Sequence, residues 1–171
     1  DGLPVVPPTP ERVQAMLGFA GVAAGDVVGT VPERSRNITA EKAAINAVMA
    51  GCEPQHFPVV LAGIAAMCDP VFGCNTAITS TGGAALCLAI SGPNLEALGL
   101  NANRNALGPG YRANATIGRA MRLVAMNVLG ARSNYLDGSS IGHPGKYTML
   151  VAEDSPPEGW EPLRVELGYD Q

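Results

Sequence analysis

Apolar positions recur along this chain in short, well-punctuated runs, and their spacing predicts most of its elements. Thr9 followed by Pro10 reads as an N-cap with proline in the first helical position. Val13, Met16, Leu17 and Ala20 then repeat at helical spacing, predicting a short amphipathic helix that ends at Gly21 or Gly25. Residues 27–32 read as an edge strand closed by Pro32, followed by a polar loop with Arg34, Arg36 and Asn37. Thr39 is placed to cap a helix over 40–50, with Ile45, Val48, Met49 and Cys52 on one face and Gly51 as its left-handed C-terminal cap. A second helix is expected from His56 or Phe57 to Met67, stopped by Pro70. Its stripe is Phe57, Val60/Leu61, Ile64 and Met67/Cys68, and the two helices read as an antiparallel hairpin.

Beyond this pair the pattern weakens. Residues 71–83 are rich in Gly, Ser, Thr and Asn and read as a loop, whereas 85–91 form a short apolar run bounded by glycines, the mark of a buried strand. A second loop, dense in Asn, covers 99–110. The strongest helix begins at Tyr111 or Arg112 and runs to Leu129, with Ile117, Met121, Val124 and Val128 on one face and Arg112, Arg119 and Arg122 opposite. Gly130 ends it, a loop through Asp137 and His143 follows, and 147–152 is a further strand. The fold class is therefore α/β: a compact single domain, 1–171, with a helical hairpin and a small buried sheet. An extended proline-rich arm (1–8) precedes it, and an acidic tail (155–171), read as an arm over a neighbour, follows.

Composition refines this picture. A chain of 171 residues can bury a core without disulfide or metal staples. Its 21 Gly and 14 Pro put many residues in turns, and its charged share of 15% is low enough that a homo- or hetero-oligomer is expected to cover part of the surface. A net charge of −4 argues against a nucleic-acid partner, and no apolar run is long enough for a membrane span. No signal-peptide pattern opens the chain, so a cytoplasmic location is expected, although a start at Asp1 leaves room for a removed upstream segment.

Four cysteines, Cys52, Cys68, Cys74 and Cys87, occur without a CxxC pair and read as reduced thiols. Cys52 and Cys87 lie in apolar patterns and are expected to be inert. Cys74 sits in a polar, flexible segment and is a candidate nucleophile or redox centre, against a structural alternative. Two histidines and dispersed acids, Glu41, Asp69 and Asp137 among them, give no metal-ligand pattern, so neither metal nor cofactor is expected.

Two loops concentrate the remaining chemistry. Gly108-Pro109-Gly110-Tyr111-Arg112-Ala113-Asn114 sets flexible backbone before a helix N-terminus, where free amides and the helix dipole favour an anion. Gly108 and Gly110 would supply those amides, Arg112 a bidentate contact, and Asn114 a donor and acceptor inside a pocket; the alternative is a simple turn. Gly142-His143-Pro144-Gly145-Lys146-Tyr147 offers a proton carrier beside a cation, His143 with Lys146 and Tyr147, or else a surface turn. Asn46 interrupts an apolar helix and is a candidate for orienting a substrate, while His56 reads as a helix cap.

Residues 1–9, 44–52, 107–119 and 142–148 together resemble a group of largely uncharacterised bacterial proteins associated with thiol- or selenol-bearing UGSC-type motifs, sometimes in a neighbouring subunit or a fused domain. The resemblance covers most of the chain and implies a small-molecule enzyme or enzyme subunit. This chain has no UGSC motif, so a redox thiol pair would have to come from a partner. The leading expectation is a bacterial enzyme subunit acting on a small polar or anionic metabolite, its site centred on residues 110–114 with the His143 loop meeting it in space. The rivals are a thiol-redox subunit centred on Cys74 and a non-catalytic scaffold of an obligate complex.

Overall fold

A computed structural model describes residues 1–169 of the chain. Helix α1 (Pro10–Ala20) starts from an extended Thr9 with proline in its first turn, ends at Gly21 in the left-handed region, and buries Val13, Met16 and Leu17. Strands β1 (Val27–Val31) and β2 (Arg36–Thr39) pair antiparallel, with a bulge between Val27 and Gly29. The second of these strands corrects the loop expected there. In Arg36-Asn37-Ile38-Thr39 only Ile38 is apolar, too little to display alternation, yet that side chain is fully buried. Gly29 leaves room for the following helices: a Cβ there would lie 2.5 Å from Cys68 Sγ.

Helix α2 (Ala40–Ala50) begins where Thr39 Oγ1 accepts from Lys42 N at 3.3 Å, and Gly51 (φ 97°) closes it. Helix α3 (Phe57–Met67) follows a 3₁₀ turn in which Glu53 N donates to His56 Nδ1. His56 is thus the buried cap expected of it, its other ring nitrogen 3.1 Å from the Leu98 carbonyl, and burial lowers its affinity for a proton. A short helix α4 (Cys74–Thr79) replaces the loop expected over 71–83; its polar composition hides it, since Cys74 and Ile78, one turn apart, are its buried positions.

Helix α5 (Arg112–Asn127) is the spine of the molecule, packed by α2, α3 and the strand β4 (Leu150–Ala152). The expected helical hairpin is present in that α2 touches α3, but the most extensive helix contact is between α2 and α5. Gly118 allows the close approach of the chain before β4: a Cβ there would fall 2.5 Å from Thr148 Oγ1 and 2.9 Å from Met149 N. Strand β3 (Leu88–Ile90) pairs parallel with β4, in register Leu88↔Leu150 to Ile90↔Ala152. Both are shorter than expected, and β3 is half-exposed rather than buried. A 3₁₀ turn at Pro144–Lys146 occupies the approach to β4. Helices and two small two-stranded sheets thus make a compact α/β domain.

Both ends of the described chain fold onto this body. Val6 N donates to Met49 O, anchoring the arm on α2. The tail forms a short helix α6 (Leu163–Glu166), and Leu163 N donates to Glu153 Oε1 at 2.7 Å. The tail thus meets residues at the ends of β3 and β4, Arg164 N also donating to Ser91 Oγ; its last two residues, 170–171, lie outside the described residues. Among the described residues no single helix is long and apolar enough to cross a membrane.

Candidate functional site

Three arginines on the polar side of α5 each hold down a different segment. Arg112 Nε donates to Gly51 O at 3.0 Å and Nη1 to Glu53 Oε1 at 2.8 Å, bracing the turn between α2 and α3. Arg119 holds the arm through the Asp1 carboxylate (2.6 Å) and the carbonyls of Leu3 and Pro4. Arg122 Nη2 reaches Asp137 Oδ2 at 3.0 Å, in the loop that follows the helix.

Asp137 is the centre of this last group and is buried. Its Oδ1 accepts from Lys146 Nζ at 2.6 Å and from the Ser139 hydroxyl at 2.7 Å, while Lys146 Nζ also donates to Ser139 Oγ. Burial alone would raise the Asp137 carboxyl, but the hydrogen bonds from Lys146, Ser139 and Arg122 outweigh it and hold the group well below the usual carboxylate range. Asp137 is therefore a fixed anion that does not serve as a proton acceptor near neutrality. Its role is to position the two cations.

This cluster forms the floor of an open cleft of about 720 Å³, a volume that suits a small-molecule ligand. His143, Tyr147 and Ser133 contribute polar groups to it, and Met126, Ile141 and Pro144 apolar ones. His143 Nδ1 accepts from Gly145 N at 2.9 Å, so in the neutral ring Nε2 carries the hydrogen and is the nitrogen left to meet a ligand. The cluster also lines a small cavity of about 30 Å³ with Phe72, Ile78 and Leu86. Arg122, Asp137 and Lys146 thus line both spaces.

Of the residues singled out in the sequence, His143, Lys146 and Tyr147 are brought together here. The expected centre at the first turn of α5 is not. Asn114 is buried, but its Oδ1 accepts from Asn101 N and its Nδ2 donates to Asn101 O, both at 2.9 Å, so it pins the preceding loop. Arg112 points toward Glu53 with 59% of its side chain exposed. Gly108 is held against Asn105, Gly110 (φ 122°) is an exposed turn position, and neither lines the His143 cleft. The chain leaving the His143 loop does touch the start of α5, through Thr148 Oγ1 donating to Ala115 O at 2.7 Å, a packing contact.

Asn46 is buried between α2 and α5, donating to Lys42 O at 2.8 Å and accepting from Asn127 Nδ2 at 2.7 Å. It borders a separate concavity with Arg36 and Lys42, so it is not a partner of His143. Cys74 is buried as well, and burial pushes its thiol up to about 11, with Cys68 and Glu33 adding to the rise; a reactive thiolate needs the opposite. Cys52 is buried as expected and its thiol is pushed up to about 12, whereas Cys87, expected to be buried, is exposed. Among the described residues no group of three or more His, Cys, Asp or Glu side chains is placed to hold a metal ion. No family model, curated protein or solved structure matches this chain.

Sequence reading passed over Arg122, Asp137 and Ser139. Arg122 shares its helix face with two arginines that are structural clamps, and Asp137 stands alone in a loop. For Asp137 and Ser139 the one signal was proximity in sequence to the His143 loop, with Lys146 nine residues after Asp137; Arg122, on the preceding helix, lacked even that.

Proposed function

We propose that the cleft over Arg122, Asp137 and Lys146 binds a small anionic metabolite, and that this chain is an enzyme or enzyme subunit in which His143 exchanges a proton with the bound molecule. The observation that carries this reading is a buried carboxylate holding two cations at the floor of an open cleft. Lys146 commits two of its three N–H donors to Asp137 and Ser139, leaving one for a ligand. Arg122 commits one donor to Asp137 and keeps the rest of its fork. Donors fixed by such a network need no reorganisation as charge develops on a bound oxygen, the arrangement from which electrostatic stabilisation derives. His143 Nε2 adds a proton donor at the rim.

Exposed apolar side chains border the cleft, as they do other parts of the surface. Ile141 is 100% exposed and Tyr147 51%, and Tyr135 lies in the same loop at 77%. Such side chains favour cover by a partner subunit. This agrees with the low charge content and with the resemblance to proteins associated with UGSC-type motifs, in which case a partner would have to supply any redox thiol. Burial of Cys74 disfavours a thiol centre within this chain.

The test is native mass spectrometry after incubation with a pool of small bacterial metabolites. The wild type is expected to retain an anionic compound that Lys146→Met loses while remaining folded. Retention of nothing, or equal retention by Lys146→Met, contradicts the proposal.

A further inference from the structure

We infer that the concavity between β2, α2 and the end of α5 is a second anion site, separate from the His143 cleft, taking a small ligand by a phosphate or carboxylate group. It stands whether or not the cleft reading does.

Chain connectivity brings two cations to this concavity. Arg36 opens β2, and Lys42 lies in the first turn of α2, which follows β2 directly. Both line a space of about 620 Å³, enough for a small-molecule ligand. Lys42 Nζ donates to Asn37 O at 3.4 Å, a long bond to an uncharged group that holds the ammonium beside β2 without neutralising it. Among the described residues no carboxylate pairs with either cation, and none lines the concavity. Asp137 neutralises part of the charge at the His143 cleft; here no acid does so.

The buried side of the concavity supplies directed donors. Asn46, one helical turn after Lys42, is 3% exposed, and a buried amide is costly unless its groups are paired. Its Oδ1 accepts from Asn127 Nδ2 at 2.7 Å, and its Nδ2 spends one N–H on Lys42 O at 2.8 Å. The other N–H of Asn46 has no acceptor among the described residues, and neither has the second N–H of Asn127. Both side chains line the concavity. An oxyanion offers acceptors to these amides and the opposite charge to Arg36 and Lys42; a cation offers neither.

One effect opposes an anion here. Asn127 is the last residue of α5, where the helix dipole presents about half an elementary negative charge. The two whole positive charges of Arg36 and Lys42 outweigh it.

The test follows the side-chain amide resonances of Asn46 and Asn127 in the intact chain. Inorganic phosphate, acetate or methylammonium is added at constant pH and ionic strength. Both amides are expected to shift saturably with an anion, equally in wild type and Lys146→Met, and not with methylammonium. Arg36→Gln combined with Lys42→Met, at two exposed positions, should weaken the binding at least about tenfold. Phosphate binding tighter than acetate assigns a phosphate group to the ligand, and acetate binding as tightly or tighter a carboxylate; either supports the site. No saturable shift with either anion, a response undiminished in the double variant, or an equal response to methylammonium overturns it. A response that disappears in Lys146→Met assigns the binding to the His143 cleft and overturns a separate site.

Discussion

Arg122 and Asp137 meet across fifteen residues of chain, Nη2 donating to Oδ2 at 3.0 Å, and this contact fixes the loop after α5 against the helix. Lys146 completes the group from the other end of the same loop. Asp137→Asn removes the charge that both cations face while keeping the side chain's shape. The expected loss of stability is about 2–4 kcal/mol, near the low end for breaking a buried pair because Arg122 and Lys146 keep some solvent contact. Urea denaturation of the two proteins measures it. A difference below about 0.5 kcal/mol would show that the cluster does not hold the loop.

The same carboxylate gives a pH dependence of known sign. Asp137 titrates lower in the folded chain than the ordinary aspartate value of 3.8, so between those values the unfolded chain binds more protons and stability rises with pH. Its contribution is fully present above the unfolded value and is lost as pH falls through the folded one. The stability gap between wild type and Asp137→Asn should therefore be constant from pH 5 to 7 and narrow progressively below about pH 4. A gap that widens on acidification would reverse the assignment.

Asn114 and Arg112 separate structural polarity from site polarity. Asn114→Ala leaves the amide and carbonyl of Asn101 without their partner in a buried setting, a cost of about 1–3 kcal/mol. Arg112→Ala breaks an exposed ion pair and one bond to a carbonyl, a cost below about 1 kcal/mol. Neither substitution should change anion affinity at the His143 cleft by more than about twofold. A larger loss in either variant would return the first turn of α5 to the site.

How much of this was legible in the sequence follows from how local each signal is. Thr39, Gly51 and the apolar stripe of α5 act within one element, and the structure has them in the expected places. β2 and α4 escaped because tertiary burial of Ile38, Cys74 and Ile78, and not composition, stabilises them. The loop at 142–147 was recognisable by its residue types. Its partners were not, because Arg122 and Asp137 acquire meaning only when the chain doubles back after Gly130. Asn114 misled for the converse reason: a polar residue near an apolar face signals burial, and burial serves a loop clamp as well as a binding pocket.

Thiol labelling checks the burial pattern independently. With the Cys74 thiol pushed up to about 11, only on the order of one in ten thousand is ionised at pH 7, and its access is restricted besides. Iodoacetamide followed by peptide mapping should mark the exposed Cys87 first, and Cys52 and Cys74 only after denaturation. Fast modification of Cys74 in the native chain would revive a thiol-centred function.

The most direct test of the central claim uses the two histidines, since His143 lines the cleft and His56 is buried between Glu53 and Leu98. The imidazole C–H resonances can be followed by NMR as acetate and then inorganic phosphate are added at constant pH and ionic strength. A saturable shift of His143, with His56 unmoved and the response abolished in folded Lys146→Met, is the predicted result. No shift of His143 with either anion, or one that persists undiminished in Lys146→Met, would contradict a small-anion site at Arg122, Asp137 and Lys146.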